Sequence, residues 1–140
     1  MKRTLLACLL APLLLLAACG EQGRELVVGT YKNEETVVFS ETSVQDEADI
    51  NRFIEIVESS PAMEVEMEGL PDYVVTINNP AESTMELMVN IWEDEAGTMV
   101  NIWEDEAGTM QFTRGLAGED VFEMNPTDAE EVRDLLQLEE

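Results

Sequence analysis

Residues 69–92 read GLPDYVVTINNPAESTMELMVNIW. The β-branched run at residues 73–77 is bounded by Gly-Leu-Pro-Asp on one side and by the turn Asn78-Asn79-Pro80 on the other. Residues 84–92 then place Met85, Leu87, Val89 and Ile91 at alternate positions, the period-2 signature of a strand with one buried face. Two such runs joined by a short turn form an antiparallel hairpin, because a parallel pair needs a crossover of a dozen or more residues. This hairpin sets the expectation for the whole chain.

Upstream, residues 25–31 and 35–40 flank Lys32-Asn33-Glu34 and predict a second hairpin. From Asp46 the period changes. Ile50, Phe53, Ile54 and Val57 fall at i, i+3, i+4 and i+7, one face of an amphipathic helix that ends near Ser59-Ser60-Pro61. Met63, Val65 and Met67 alternate with Glu64, Glu66 and Glu68, as in a half-buried strand or extended segment. Downstream, residues 110–113 and 121–124 are strand candidates, with Met110 and Phe112 facing inward. A last helix starts at Thr127, where Thr127 and Glu130 make a capping-box pattern behind Pro126, and Val132, Leu135 and Leu136 supply its apolar stripe. The fold class expected is α+β: an antiparallel sheet with one internal amphipathic helix and a short C-terminal helix packed on one face.

At the N-terminus, Lys2 and Arg3 precede a nearly unbroken apolar stretch of about 14 residues, 5–18. As a helix it would span roughly 21 Å, less than the ~30 Å hydrocarbon core of a bilayer, which favours a cleaved signal over a permanent span. Leu16-Ala17-Ala18-Cys19 resembles the lipobox of bacterial lipoproteins, with cleavage between Ala18 and Cys19 and diacylglycerol carried on the Cys19 thiol. The domains read as a signal peptide at 1–18, a lipidated N-terminus and short tether at 19–24, and one domain at 25–140. Cys8 leaves with the signal, so the mature chain keeps one cysteine, used for lipid, and has no intramolecular disulfide. The resemblance implies two or more acyl chains, as stable anchoring requires. The expected location is extracytoplasmic, anchored by lipid to the cell membrane.

Removing 18 of 140 residues leaves 122, enough for a single core. Five basic residues remain (Arg24, Lys32, Arg52, Arg114, Arg133) against all 31 acids, a net charge of about −26. A field of that sign repels phosphate, so nucleic acid is excluded as a partner and anionic membrane surfaces are poor ones. Such acid-rich, lysine-poor composition suits salty or alkaline surroundings, where screening weakens self-repulsion.

Little in the sequence carries chemistry. With no histidine and no free thiol after processing, Ser-His-Asp and Cys-His catalysis have no base or nucleophile, and Lys32 lies in an expected turn. Zinc lacks ligands. Two acidic clusters, Glu93-Asp94-Glu95 and Glu104-Asp105-Glu106, offer oxygen to Ca²⁺ but lack the spacing of a dedicated loop and read first as solvated turns. Met63, Met67, Met85 and Met99 admit a Cu(I) reading but fit core packing, and Trp92 and Trp103 are either an exposed aromatic patch or strand-end core residues. No cofactor is expected. The leading expectation is a non-catalytic module for an envelope protein, cell-wall component or cation. The alternatives are a carboxylate-dependent hydrolase and a Ca²⁺-binding surface domain. A buried acid pair in a cleft would favour the hydrolase, and exposed aromatic or edge groups on the sheet would favour the binder.

Residues 50–57, Gly69-Leu-Pro-Asp-Tyr-Val-Val-Thr-Ile77, a strand ending in Ile-Trp before a Gly-containing turn, and Val121-Phe122 ahead of a final helix together resemble the YhfM-like domain of lipoproteins from Gram-positive bacteria, over roughly residues 36–137. The resemblance implies fold and location, with the outer face of the plasma membrane as the site of anchoring, and no established activity. The chain departs from that pattern at 88–109, where MVNIWEDEAGT (88–98) recurs unchanged as 99–109. An 11-residue tandem pair lacks the period and copy number of repeat architectures and reads as a duplication within one domain. A one-residue slip turns every side chain of a strand to the other face, so the extra copy cannot serve both as outgoing and return strand. The expectation is that one copy protrudes at the sheet's end and that Trp92 and Trp103 differ in exposure.

Overall fold

The computed structural model describes residues 23–93, 109–115 and 120–138. Seven strands and two helices follow one another as β1 (Glu25–Asn33), β2 (Thr36–Val44), α1 (Glu47–Ser59), β3 (Ala62–Met63), β4 (Tyr73–Asn79), β5 (Thr84–Glu93), β6 (Met110–Arg114), β7 (Val121–Met124) and α2 (Pro126–Leu136). The strands form one sheet in the order β2-β1-β4-β5-β6-β7-β3, and each neighbouring pair is antiparallel. The all-antiparallel sheet with two helices agrees with the α+β expectation. The chain passes from one sheet edge, β2, to the other, β3, by way of α1.

Both helices pack on one face. Ile50, Phe53, Ile56 and Val57 of α1 and Ala129, Val132 and Leu136 of α2 share a single cluster with Leu26, Val75, Ile77, Val89, Ile91, Met110, Phe112 and Met124 from the sheet. Leu26, Ile50, Phe53, Ile77, Ile91 and Phe112 are fully buried. The β4 residues of opposite phase, Val74 and Thr76, are also buried but lie outside this cluster. Val74 owes its burial to Gly29, which faces it across the β1–β4 pair and has no side chain, so that Val37 and Phe39 of β2 close over the gap.

Several boundaries differ from the sequence reading for local reasons. The first hairpin turns at Glu34-Glu35, with the Asn33 side chain accepting from the Glu35 N–H, and β2 runs on to Val44. In α1, Asp46 caps the N-terminus through the Ala48 and Asp49 N–H groups, and Ile56, absent from the expected stripe, is buried while Ile54 only packs against the core edge. The alternating Met63-to-Glu68 segment pairs with β7 only through Ala62 and Met63, and beyond them it is extended rather than strand, with Val65 and Met67 half-buried as alternation requires. β4 extends through Asn79, so the turn falls on residues 80–83, where Ser83 adopts φ 54°. α2 begins at Pro126, and its cap is Asn125, whose side chain accepts from the Asp128 N–H, rather than Thr127. Proline suits the first helical position because that N–H has no intrahelical partner.

Candidate functional site

Arginine is scarce in this chain, and each of its four copies among the described residues joins two elements. Arg24 precedes β1 and donates to Glu47 (Nε to Oε2 3.2 Å) and Asn51 (2.6 Å) on α1 and to Glu86 (3.4 Å) on β5. Arg52 on α1 makes a two-pronged contact with Glu131 of α2 (2.7 and 2.8 Å) and reaches Asp128 (3.4 Å). Arg133 of α2 donates to Glu93 at the end of β5 (3.0 Å). The Arg114 guanidinium sits 3.9 Å from the centre of the Phe122 ring, which itself stacks on Phe112 at 5.5 Å.

These pairs shift the ionisation of their members. The hydrogen bond from Arg24 holds the Glu47 carboxyl below the usual carboxylate range, and Arg52 does the same to Glu131. In return, the bond to Glu47 raises the Arg24 pKa, and the bonds to Glu131 and Glu55 raise that of Arg52. A guanidinium already matched by two or three oxygen partners has little left to offer an anionic ligand. Gly23, Arg24, Glu25, Gln45 and Pro80 line a depression of about 430 Å³ where the chain enters the sheet, and Arg24 is its positive group. The ion pairs with Glu47 and Glu86 neutralise it.

The expected site residues fall as follows. Ala18 and Cys19, the cleavage and lipidation positions, lie outside the described residues, as do Asp94, Glu95, Glu104, Asp105, Glu106, Met99 and Trp103. Of the Ca²⁺ candidates only Glu93 is described, and it is engaged twice: its carboxylate accepts from Arg133, and its backbone N–H donates to Asp72 Oδ2 (2.8 Å). Among the described residues no group of three or more acids is arranged to hold a metal ion. Met63 on β3 and Met85 on β5 are separated by β6 and β7 and do not meet. Trp92 is half-buried at the end of β5, and its indole N–H donates to the Gly69 carbonyl (3.3 Å), the strand-end role rather than that of an open platform.

Of the tandem copies, the first is described through Glu93. Residues 88–93 form the second half of β5, between β4 and β6, with Ile91 paired to both Tyr73 and Phe112. Glu93 pairs with Met110, and the protruding copy expected between them, residues 99–109, lies outside the described residues except for Thr109.

One feature went unseen in the sequence. β2 is an edge strand of nine residues, and Val38 and Phe39 on it are 53% and 48% exposed. Its composition, TVVFSETSV, carries one charge and neither lysine nor proline, so the edge is blunted only by Glu41 and by the register shifts of the β1–β2 pair at Val27/Gly29 and Tyr31/Asn33. An apolar run without alternation of charge was the only available signal, and strand order is not encoded locally. The described residues also include no helix long and apolar enough to cross a membrane.

The fold and these surfaces define an antiparallel sheet covered on one face by two helices and carrying an open apolar edge. The chain matches no family model, no curated protein and no solved structure.

Proposed function

We propose that this protein is a lipid-anchored extracytoplasmic module of the YhfM-like kind that binds a partner rather than transforming a substrate. The observation that carries the binding role is the β2 edge, whose backbone groups face outward beside Val38 and Phe39. An extended segment added there gains main-chain hydrogen bonds along the strand and apolar contacts on either side. The acid-rich surface favours a partner that is neutral or basic. Among the described residues the buried polar side chains are Thr76, Gln111 and Thr113. The lipobox at Leu16-Ala17-Ala18-Cys19 supports the anchor, and the tether from Cys19 to the start of β1 at Glu25 holds the domain near the bilayer.

A photo-crosslinking residue at position 38 of the lipidated protein in intact cells is expected to give a discrete adduct that the same residue at exposed Glu58 on α1 does not. Equal yields from both positions, or none from either, would count against an edge-binding module.

A further inference from the structure

The slot between β4 and β6 is filled by residues 88–93, and residues 99–104 repeat that hexapeptide letter for letter. We propose that the slot has two alternative occupants, so that the folded chain exchanges between two strand registers eleven residues apart.

Every contact made by the hexapeptide is available to either copy. Val89 and Ile91 are fully buried in the helix-side core, and Val100 and Ile102 are their counterparts. The Asn90 side chain accepts from the Tyr31 hydroxyl (3.1 Å), and Glu93 meets Arg133, interactions that Asn101 and Glu104 reproduce. Chain length poses no obstacle. In the observed register the β4–β5 link is residues 80–83 and the β5–β6 link is residues 94–109, four and sixteen residues. In the shifted register these become residues 80–94 and 105–109, fifteen and five, with the same total. Five residues is within the ordinary range of a β-hairpin connection, and closure entropy grows only slowly with length. The shift also releases Ser83 from its left-handed φ of 54°.

The difference between the registers lies just upstream, where Thr84-Met85-Glu86-Leu87 is replaced by Glu95-Ala96-Gly97-Thr98, and its main losses are at Glu86 and Leu87. Leu87 packs against the core, and Glu86 accepts from Arg24 (3.4 Å) and Asn79 (3.2 Å). Threonine and glycine supply neither, which makes the observed register the major one. Because β5 is central in the sheet, exchange requires a large cooperative opening, so the two forms interconvert slowly.

The test uses the mature lipoprotein in detergent micelles, labelled with 5-fluorotryptophan, in a Trp103→Phe background so that Trp92 alone reports by ¹⁹F NMR. Gly97→Glu with Thr98→Leu gives the second copy the upstream pair of the first without altering β5. In that variant two slowly exchanging lines are expected, within about tenfold of each other in intensity, one for Trp92 in the slot and one for Trp92 displaced. Adding Ile102→Asp, which bars the second copy from the core, is expected to abolish the displaced line. A single line in the Gly97→Glu/Thr98→Leu protein would overturn the proposal. A second line that survives Ile102→Asp would do so too, because it would report fraying of β5 rather than exchange of copies.

Discussion

A methyl group at Gly29 would stand 2.7 Å from Val37 Cγ1, 2.9 Å from Phe39 Cδ1 and 3.0 Å from Val74 Cγ1, all closer than side chains ordinarily approach. Gly29→Ala is therefore expected to cost about 1–3 kcal/mol by overpacking, measured by denaturant melting, despite the better strand propensity of alanine. Unchanged stability would mean that Val37 and Phe39 can swing away freely from the exposed edge. Arg52 acts at the same scale but through charge. Its bond lowers the Glu131 pKa in the folded state, so the pair stabilises the fold above the unfolded carboxylate value of about 4.5 and loses that contribution as pH falls through the lower folded value. Arg52→Met should lower Tm at pH 7, and its deficit relative to the parent should shrink progressively below about pH 4. A deficit independent of pH would assign the role of Arg52 to packing. The sequence displayed the rarity of arginine but not its partners, which lie 79 positions apart in this case.

At the scale of elements, local periodicity was a sound guide wherever one face of a strand or helix meets the core. α1 and β5 were legible from spacing alone because Ile50, Phe53 and Val57, and Val89 and Ile91, project into one layer. The omission of Ile56 reflects a buried face wider than a single i, i+3, i+4 stripe. Thr127 has the capping-box spacing, but Asn125 has the geometry, with its side chain accepting from the Asp128 N–H at 2.8 Å. Strand order, and with it the exposure of β2, depends on contacts between distant segments that no local pattern records. The candidate site was accordingly the least legible part of the molecule. Phe53 is fully buried at the centre of α1, and Phe53→Ala is expected to destabilise by about 3–5 kcal/mol in a denaturant titration. Deletion of residues 99–109 leaves the same polypeptide as deletion of 88–98, since the copies are identical, and joins Glu93 to Met110 through five residues. That variant should fold with equal or higher stability, because the β5–β6 connection becomes hairpin-sized. Failure to fold would show that the second copy has become integral to the domain.

For the whole molecule, charge and the proposed anchor are the properties to test. A net charge of −24 over 140 residues disfavours the compact state through self-repulsion that mobile ions screen. Thermal stability should rise with NaCl toward molar concentrations, as followed by circular dichroism, and a flat or falling curve would contradict a surface suited to salty surroundings. Replacing Cys19 by serine should release the domain from the membrane fraction or stall the precursor with its signal attached. The most direct measurement of the anchor is intact-mass spectrometry of the protein extracted from its native membrane. The expected species begins at Cys19, comprises 122 residues and carries the added mass of a thioether-linked diacylglycerol. A membrane-associated chain that begins elsewhere, or that begins at Cys19 with a free thiol, would contradict lipid anchoring.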